Sequence, residues 1–201
     1  MPPGEERNDR LVTIALVVIV LLSIASFVYV SIPTSKEQNG AQEESSHGET
    51  EQGFTLTIVY DNSSVSYTLD SIKSMDSTSG YGGYKKKSGA VVGPDLYRGV
   101  DIFTLLSYFD LPDNFTLCVV GSDGYQLNYT WDEINGRIPI YNETGAEIGS
   151  GNVTMIVAYE KNNESLGEDE GPLRIAFVSE EGYITSSKLW ARSVSSLEIK
   201  V

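Results

Sequence analysis

The chain has 201 residues, with 14 basic against 28 acidic side chains and a formal charge of −14. So acidic a protein repels nucleic acid, whose phosphate backbone is held mainly through Lys and Arg. One Cys (Cys118) and one His (His47) exclude an internal disulfide framework and any His/Cys zinc, haem or iron–sulfur site. They also exclude a Ser-His-Asp or Cys-His centre that does not use His47.

Residues 1–10 read as a short cytoplasmic N-terminus. From Leu11 to Val30 every residue is apolar or small and uncharged. Twenty residues at about 1.5 Å rise span about 30 Å, the hydrocarbon thickness of a bilayer, so this run predicts a transmembrane anchor. It is longer than the apolar region of a cleaved signal and lacks an A-x-A site, which favours a retained signal-anchor. Arg7 and Arg10 precede it and only Lys36 follows closely, which predicts a single-pass protein with its C-terminal part outside the cytoplasm. Residues 31–52 carry one Lys against five Glu and almost no large apolar groups, the composition of a disordered acidic tether. His47 falls there, as a solvated linker residue.

Residues 53–201 form the predicted globular domain, with 11 basic and 20 acidic residues. Phe54–Tyr60 alternates apolar and polar residues, Asp61-Asn62 is a turn signal, and Ser64–Leu69 returns, which predicts a hairpin. Asp70 is placed to cap a short helix ending near Met75. Asp101 caps a second one, whose Ile102, Leu105, Leu106 and Phe109 repeat at helical spacing. Phe115–Val120 reads as a buried strand that places Cys118 as an inert interior thiol. Asp123-Gly124 turns the chain into Tyr125–Tyr129, and Thr130–Glu133 has the spacing of a capping box. Thr154–Tyr159, Leu173–Val178 and Leu197–Val201 complete the strands. The expected fold class is α+β with a mixed sheet.

Two segments break the pattern. Ser77–Gly99 is rich in Gly and Tyr, with Lys85, Lys86 and Lys87 at its centre and Arg98 near its end, and reads as a long loop. Four basic residues in so acidic a domain suggest an anion or phosphate site, with Gly letting backbone N–H groups approach; a solvated basic tip is the plainer alternative. Asn162–Arg174 reads as a solvated acidic loop without the spacing of a calcium site. Six N-x-S/T sequons begin at Asn62, Asn114, Asn128, Asn142, Asn152 and Asn163, all beyond the apolar run. They predict an exported glycoprotein, and together with the high acidity they suit an archaeal surface protein.

The order YRGVDIFTLL, SDGY, TMIVAYE, GPLRIAFV and SSKLWARSVSSLEI resembles the molybdopterin-binding domain of the sulfite-oxidase-like oxidoreductases across most of residues 54–201. The resemblance implies a mixed-sheet fold, a molybdenum–pterin cofactor and two-electron oxygen-atom transfer. It also implies that Arg174 of GPLR and Lys188 of SSKLW lie near the cofactor phosphate. The chain departs from the family at the metal ligand: the segment Ser77–Gly99, where the family carries its Cys, contains none. Asp169 and Glu170 stand just before GPLR, where carboxylates would repel a phosphate, and Tyr97 replaces the family's Trp. Two readings follow. One is a non-catalytic, membrane-tethered module, with no cofactor, that binds an anionic small molecule or a protein partner through Lys85, Lys86, Lys87, Arg98, Arg174 and Lys188. The other is a divergent molybdopterin oxidoreductase that holds the cofactor through its phosphate alone.

Overall fold

The computed structural model describes residues 53–201. The expected span Leu11–Val30, the tether over 31–52 and His47 lie outside the described residues. Among those described, no helix is long and apolar enough to cross a membrane.

The first hairpin forms as expected. β1 (Thr55–Tyr60) and β2 (Ser63–Thr68) pair antiparallel around Asp61, which takes φ 53°. Leu56 and Ile58 point inward from β1 and are fully buried. Three short helices follow in the chain: α1 (Leu69–Lys73), α2 (Ile102–Leu106) and α3 (Trp131–Ile134). The cap of α1 is Thr68, whose hydroxyl accepts from Ser71 N at 3.2 Å, and not the expected Asp70. Thr68 keeps the extended backbone an N-cap needs, so Asp70 falls in the first turn, where its charge meets the positive helix end. Asp101 does cap α2, accepting from Phe103 N at 2.8 Å. The Thr130–Glu133 capping box on α3 is complete.

The main correction concerns Ser77–Gly99. It is not a loop but a long hairpin of β3 (Thr78–Lys85) and β4 (Val91–Asp101). Glycine propensity argues against a strand, yet here other backbone passes too close for any side chain. A Cβ on Gly82 would lie 2.2 Å from Phe177 O, and one on Gly83 would lie 2.4 Å from Val92 O. Gly82→Ala should therefore cost about 1–3 kcal/mol, read as a lower denaturant midpoint; an unchanged midpoint would contradict this packing.

β5 (Thr116–Gly121) and β6 (Gln126–Tyr129) form the next hairpin, and β7 (Arg137–Tyr141) and β8 (Glu147–Asn152) another. Then come β9 (Thr154–Lys161), β10 (Glu164–Ser165), β11 (Arg174–Val178), β12 (Ile184–Ser186) and β13 (Val194–Lys200). A five-stranded sheet runs β2-β1-β13-β5-β6, with β1 and β13 parallel. An eight-stranded sheet runs β10-β9-β4-β3-β12-β7-β8, with β12 parallel to β3 and β11 added on β9. A bridge between Tyr81 and Ser179 joins β3 to β11, so β3, β4, β9 and β11 close on themselves. β11 is buried along its whole length, which is why Ile175–Val178 reads as an unbroken apolar run after Arg174. The described fold is thus mostly sheet, with mixed sheets as expected and helices of only four or five residues.

Candidate anion-binding cavity

Tight turns bring three separated segments together. β3 ends at Lys85, and the turn from Lys86 to Ala90 closes through Lys86 N–Ala90 O (2.8 Å) and Gly89 N–Lys86 O (2.9 Å), with Gly89 at φ +90°. Gly89 is free to adopt that left-handed backbone, which holds Lys86 and Lys87 exposed on a fixed turn. From the other sheet, the β5–β6 turn contributes Asp123 and Tyr125. The third segment is a 3-10 turn (Ser187–Leu189) followed by Trp190, Ala191 and Arg192.

These segments enclose a cavity of about 550 Å³, within the range of small-molecule sites. Lys86, Arg174 and Arg192 supply positive charge to its wall, Asp123 and Glu170 negative charge, and Tyr84, Tyr125 and Trp190 aromatic surface. A smaller cavity of about 190 Å³ adjoins it and shares Lys86 and Ser187. Lys85, Lys87 and Lys188 line this second space. Lys85 is already engaged: its Nζ donates to Gly145 O at 2.7 Å and sits 4.7 Å from the centre of the Tyr141 ring.

Five of the six expected basic residues therefore meet at the two adjoining cavities. Arg98 does not. It projects from β4, half exposed, bonded to Ser77 Oγ at 3.1 Å and paired with Glu160 at 3.8 Å. The sequence reading also missed Arg192, which lines the larger cavity and donates to Asp169 O at 3.3 Å. Its position two residues after the Trp of KLW was the available signal.

Arg174 is the least conventional member. It opens β11 with 1% of its surface exposed, and its Nη1 pairs with Glu170 Oε1. Its guanidinium lies 5.0 Å from the Trp190 ring centre, 5.6 Å from Tyr97 and 5.8 Å from Tyr84, a cation held among aromatic faces. Trp190 is itself fixed by donating from Nε1 to Thr185 Oγ1 at 2.7 Å. Burial raises the Tyr97 phenol above its ordinary pKa, although the Arg174 charge works the other way. Glu170 thus neutralises Arg174, which leaves Asp169 and Asp123 as the carboxylates to be offset near the cavity.

Nearby, Asp95 and Lys161 pair at 3.1 Å on β4 and β9. Burial works to raise the Asp95 pKa, but hydrogen bonds from Asn162 and Lys161 and the lysine charge outweigh it and hold the pKa below the ordinary value. For Lys161, burial works downward and the Asp95 contact raises the pKa overall. The depressed carboxylate contributes stability above its unfolded pKa of about 3.9, lost as pH falls through the folded value. The raised ammonium contributes below about 10.4, lost as pH rises through its own folded value. Asp95→Asn should accordingly lower stability at pH 7 by up to about 1 kcal/mol and leave it unchanged at the acid extreme. Denaturation at both pH values checks this; an equal loss at both would contradict it.

The donor set does not fit a thiolate-ligated metal. Neither cavity presents a thiol or an imidazole. Cys118 is fully buried in β5 of the five-stranded sheet, with Sγ 3.9 Å from Gln126 Oε1. Among the described residues, no three His, Cys, Asp or Glu side chains converge as metal ligands.

No protein-family profile matches the chain, and neither does any curated protein. Among solved structures, the chain is similar to the sulfane dehydrogenase SoxCD from Paracoccus pantotrophus, with a TM-score of 0.54 and 14% identity. The match covers 73% of this chain but only 38% of that one, so the chain corresponds to well under half of its neighbour. At this identity the likeness is one of fold.

Proposed function

We propose that the domain is a membrane-anchored, extracytoplasmic binding module that keeps a sulfite-oxidase-like fold without its metal chemistry and takes a small anionic ligand. The observation that carries this reading is the convergence of the exposed Lys86 and Arg192 on one cavity whose lining offers no soft metal donor. A thiolate is the strong, soft bond a protein can make to such a metal, and without it only electrostatics and hydrogen bonding are left. Converging charged donors on a fixed turn suit an anion's oxygens. The exposed Lys86 and Arg192 reach the ligand, while Arg174, neutralised by Glu170, holds the aromatic floor of Tyr84, Tyr97 and Trp190 in place.

The fold likeness to a dehydrogenase favours a second reading, a divergent oxidoreductase that holds a molybdenum–pterin group through its phosphate. When bound, that group would supply two-electron oxygen-atom transfer. In this chain Lys86 and Arg192 would grip the phosphate, and the wall has no thiolate to ligate the metal.

Calorimetric titration of the full-length protein with inorganic pyrophosphate tests the first reading. One-to-one binding that weakens several-fold between about 50 mM and about 500 mM salt is expected, since screening over a shorter Debye length acts on exposed charges. Absence of binding at low salt, or binding indifferent to salt, would overturn it.

A further inference from the structure

Among the described residues, the two sheets leave four free edges, at β2, β6, β8 and β10. β11 also ends a path, but it is buried and bridged to β3. An open edge offers a row of unpaired N–H and C=O groups on which a second chain can add a strand. Proteins blunt such edges with Lys or Pro, other charges, bulges or very short strands. Here none of the four strands, SSVSYT, QLNY, EIGSGN and ES, contains Lys or Pro; β10 is only two residues long and β8 carries Glu147 beside a register shift, so β2 and β6 are the barest edges.

The sequons lie on these same edges. Asn62 immediately precedes β2, Asn128 is within β6, Asn142 lies in the turn leading to β8, Asn152 ends β8, and Asn163 immediately precedes β10. All five are exposed, and each of the four edges has at least one. Only Asn114, in the segment before β5, stands away from them. At Asn142 the side chain is held in the turn with Nδ2 engaged by none of these bonds: Thr144 Oγ1 donates to Asn142 Oδ1 at 2.7 Å, with Thr144 N and Ala146 N donating to the same oxygen at 3.0 and 2.9 Å.

We propose that N-linked glycans on Asn62, Asn128, Asn142, Asn152 and Asn163 cap the four free sheet edges and keep the domain from pairing with copies of itself. The donor is a lipid-linked diphosphate sugar. The asparagine Nδ2 forms a bond to the anomeric carbon, the bond from that carbon to the diphosphate oxygen breaks, the lipid diphosphate leaves with the electron pair, and the amide loses one proton. A bulky, hydrated chain beside an edge strand excludes an incoming strand without adding charge to an already acidic protein. The proposal rests on the extracytoplasmic placement given above.

Full-length protein from a host with N-glycosylation machinery tests it by peptide mapping, alongside protease treatment of intact cells. Expected are glycan masses on acceptors at all four edges and a domain that the protease can reach. A reachable domain carrying bare asparagines would overturn this proposal and leave the extracytoplasmic placement standing. A protected domain would overturn both. The same sequence made in a host without the machinery, held in mild detergent, should shift from monomer to a dimer or larger mass on sedimentation. The Asn128→Gln variant of the glycosylated protein, whose β6 edge then carries no glycan, should shift the same way. Persistence of the monomer in both would overturn the shielding role.

Discussion

Arg174→Ala should remove a large part of the domain's stability, about 3–5 kcal/mol, and leave it close to unfolding at 37 °C. A buried ion pair is a modest source of net stability, but deleting one partner strands the other in a poorly solvated site. Arg174 is 1% exposed and Glu170 19% exposed, so the carboxylate would lose its counter-charge with little water in exchange. The substitution also empties the space bounded by Tyr84, Tyr97 and Trp190. Against a typical total of about 5–15 kcal/mol, that loss is large. Urea denaturation measures it directly. A loss below about 1 kcal/mol would mean that the guanidinium is not the buried hub described. The result also bears on the site: weaker anion binding by an Arg174 variant would report lost structure and would not identify the residue as a ligand contact.

Lys86→Ala combined with Arg192→Ala should nearly abolish pyrophosphate binding while leaving the fold intact. Both side chains are exposed at the cavity wall, and Lys86 forms none of the ion pairs found among the described residues. Each charge-assisted contact removed should lower affinity about tenfold, or about 1.4 kcal/mol, so the pair should cost about a hundredfold. Arg98→Ala is the internal control, because Arg98 lies on Glu160 and lines neither cavity; it should bind like the unaltered protein. Lys188→Ala, in the smaller adjoining space, should fall between them. Titration of all three against the parent protein gives the comparison. Equal loss in Arg98→Ala would point to the overall field of the domain and away from this cavity.

Local rules carried far where the signal was local. The Asp61-Asn62 hairpin, the Asp101 cap and the Thr130–Glu133 box depend on a few neighbouring residues, and each appears at its expected place. The β3–β4 hairpin was illegible because its glycines answer to Phe177 and to strands distant in sequence. Tertiary contact there reverses local propensity. β7 and β8 escaped notice for a related reason: only Ile138 and Ile140 mark a face, and β8 is an exposed edge. At the cavities, the lysine triplet and the GPLR and SSKLW motifs point to residues that line the two walls. Their roles needed coordinates. Nothing in the sequence shows that Arg174 faces Glu170 and three aromatic rings, that Arg98 points elsewhere, or that Arg192 completes the wall.

Elemental analysis of the full-length protein purified from its native host separates the binding module from the oxidoreductase. A module whose cavity offers cations but no thiolate should carry molybdenum far below one atom per chain. One molybdenum per chain would contradict the binding-module reading and establish the oxidoreductase alternative in its place.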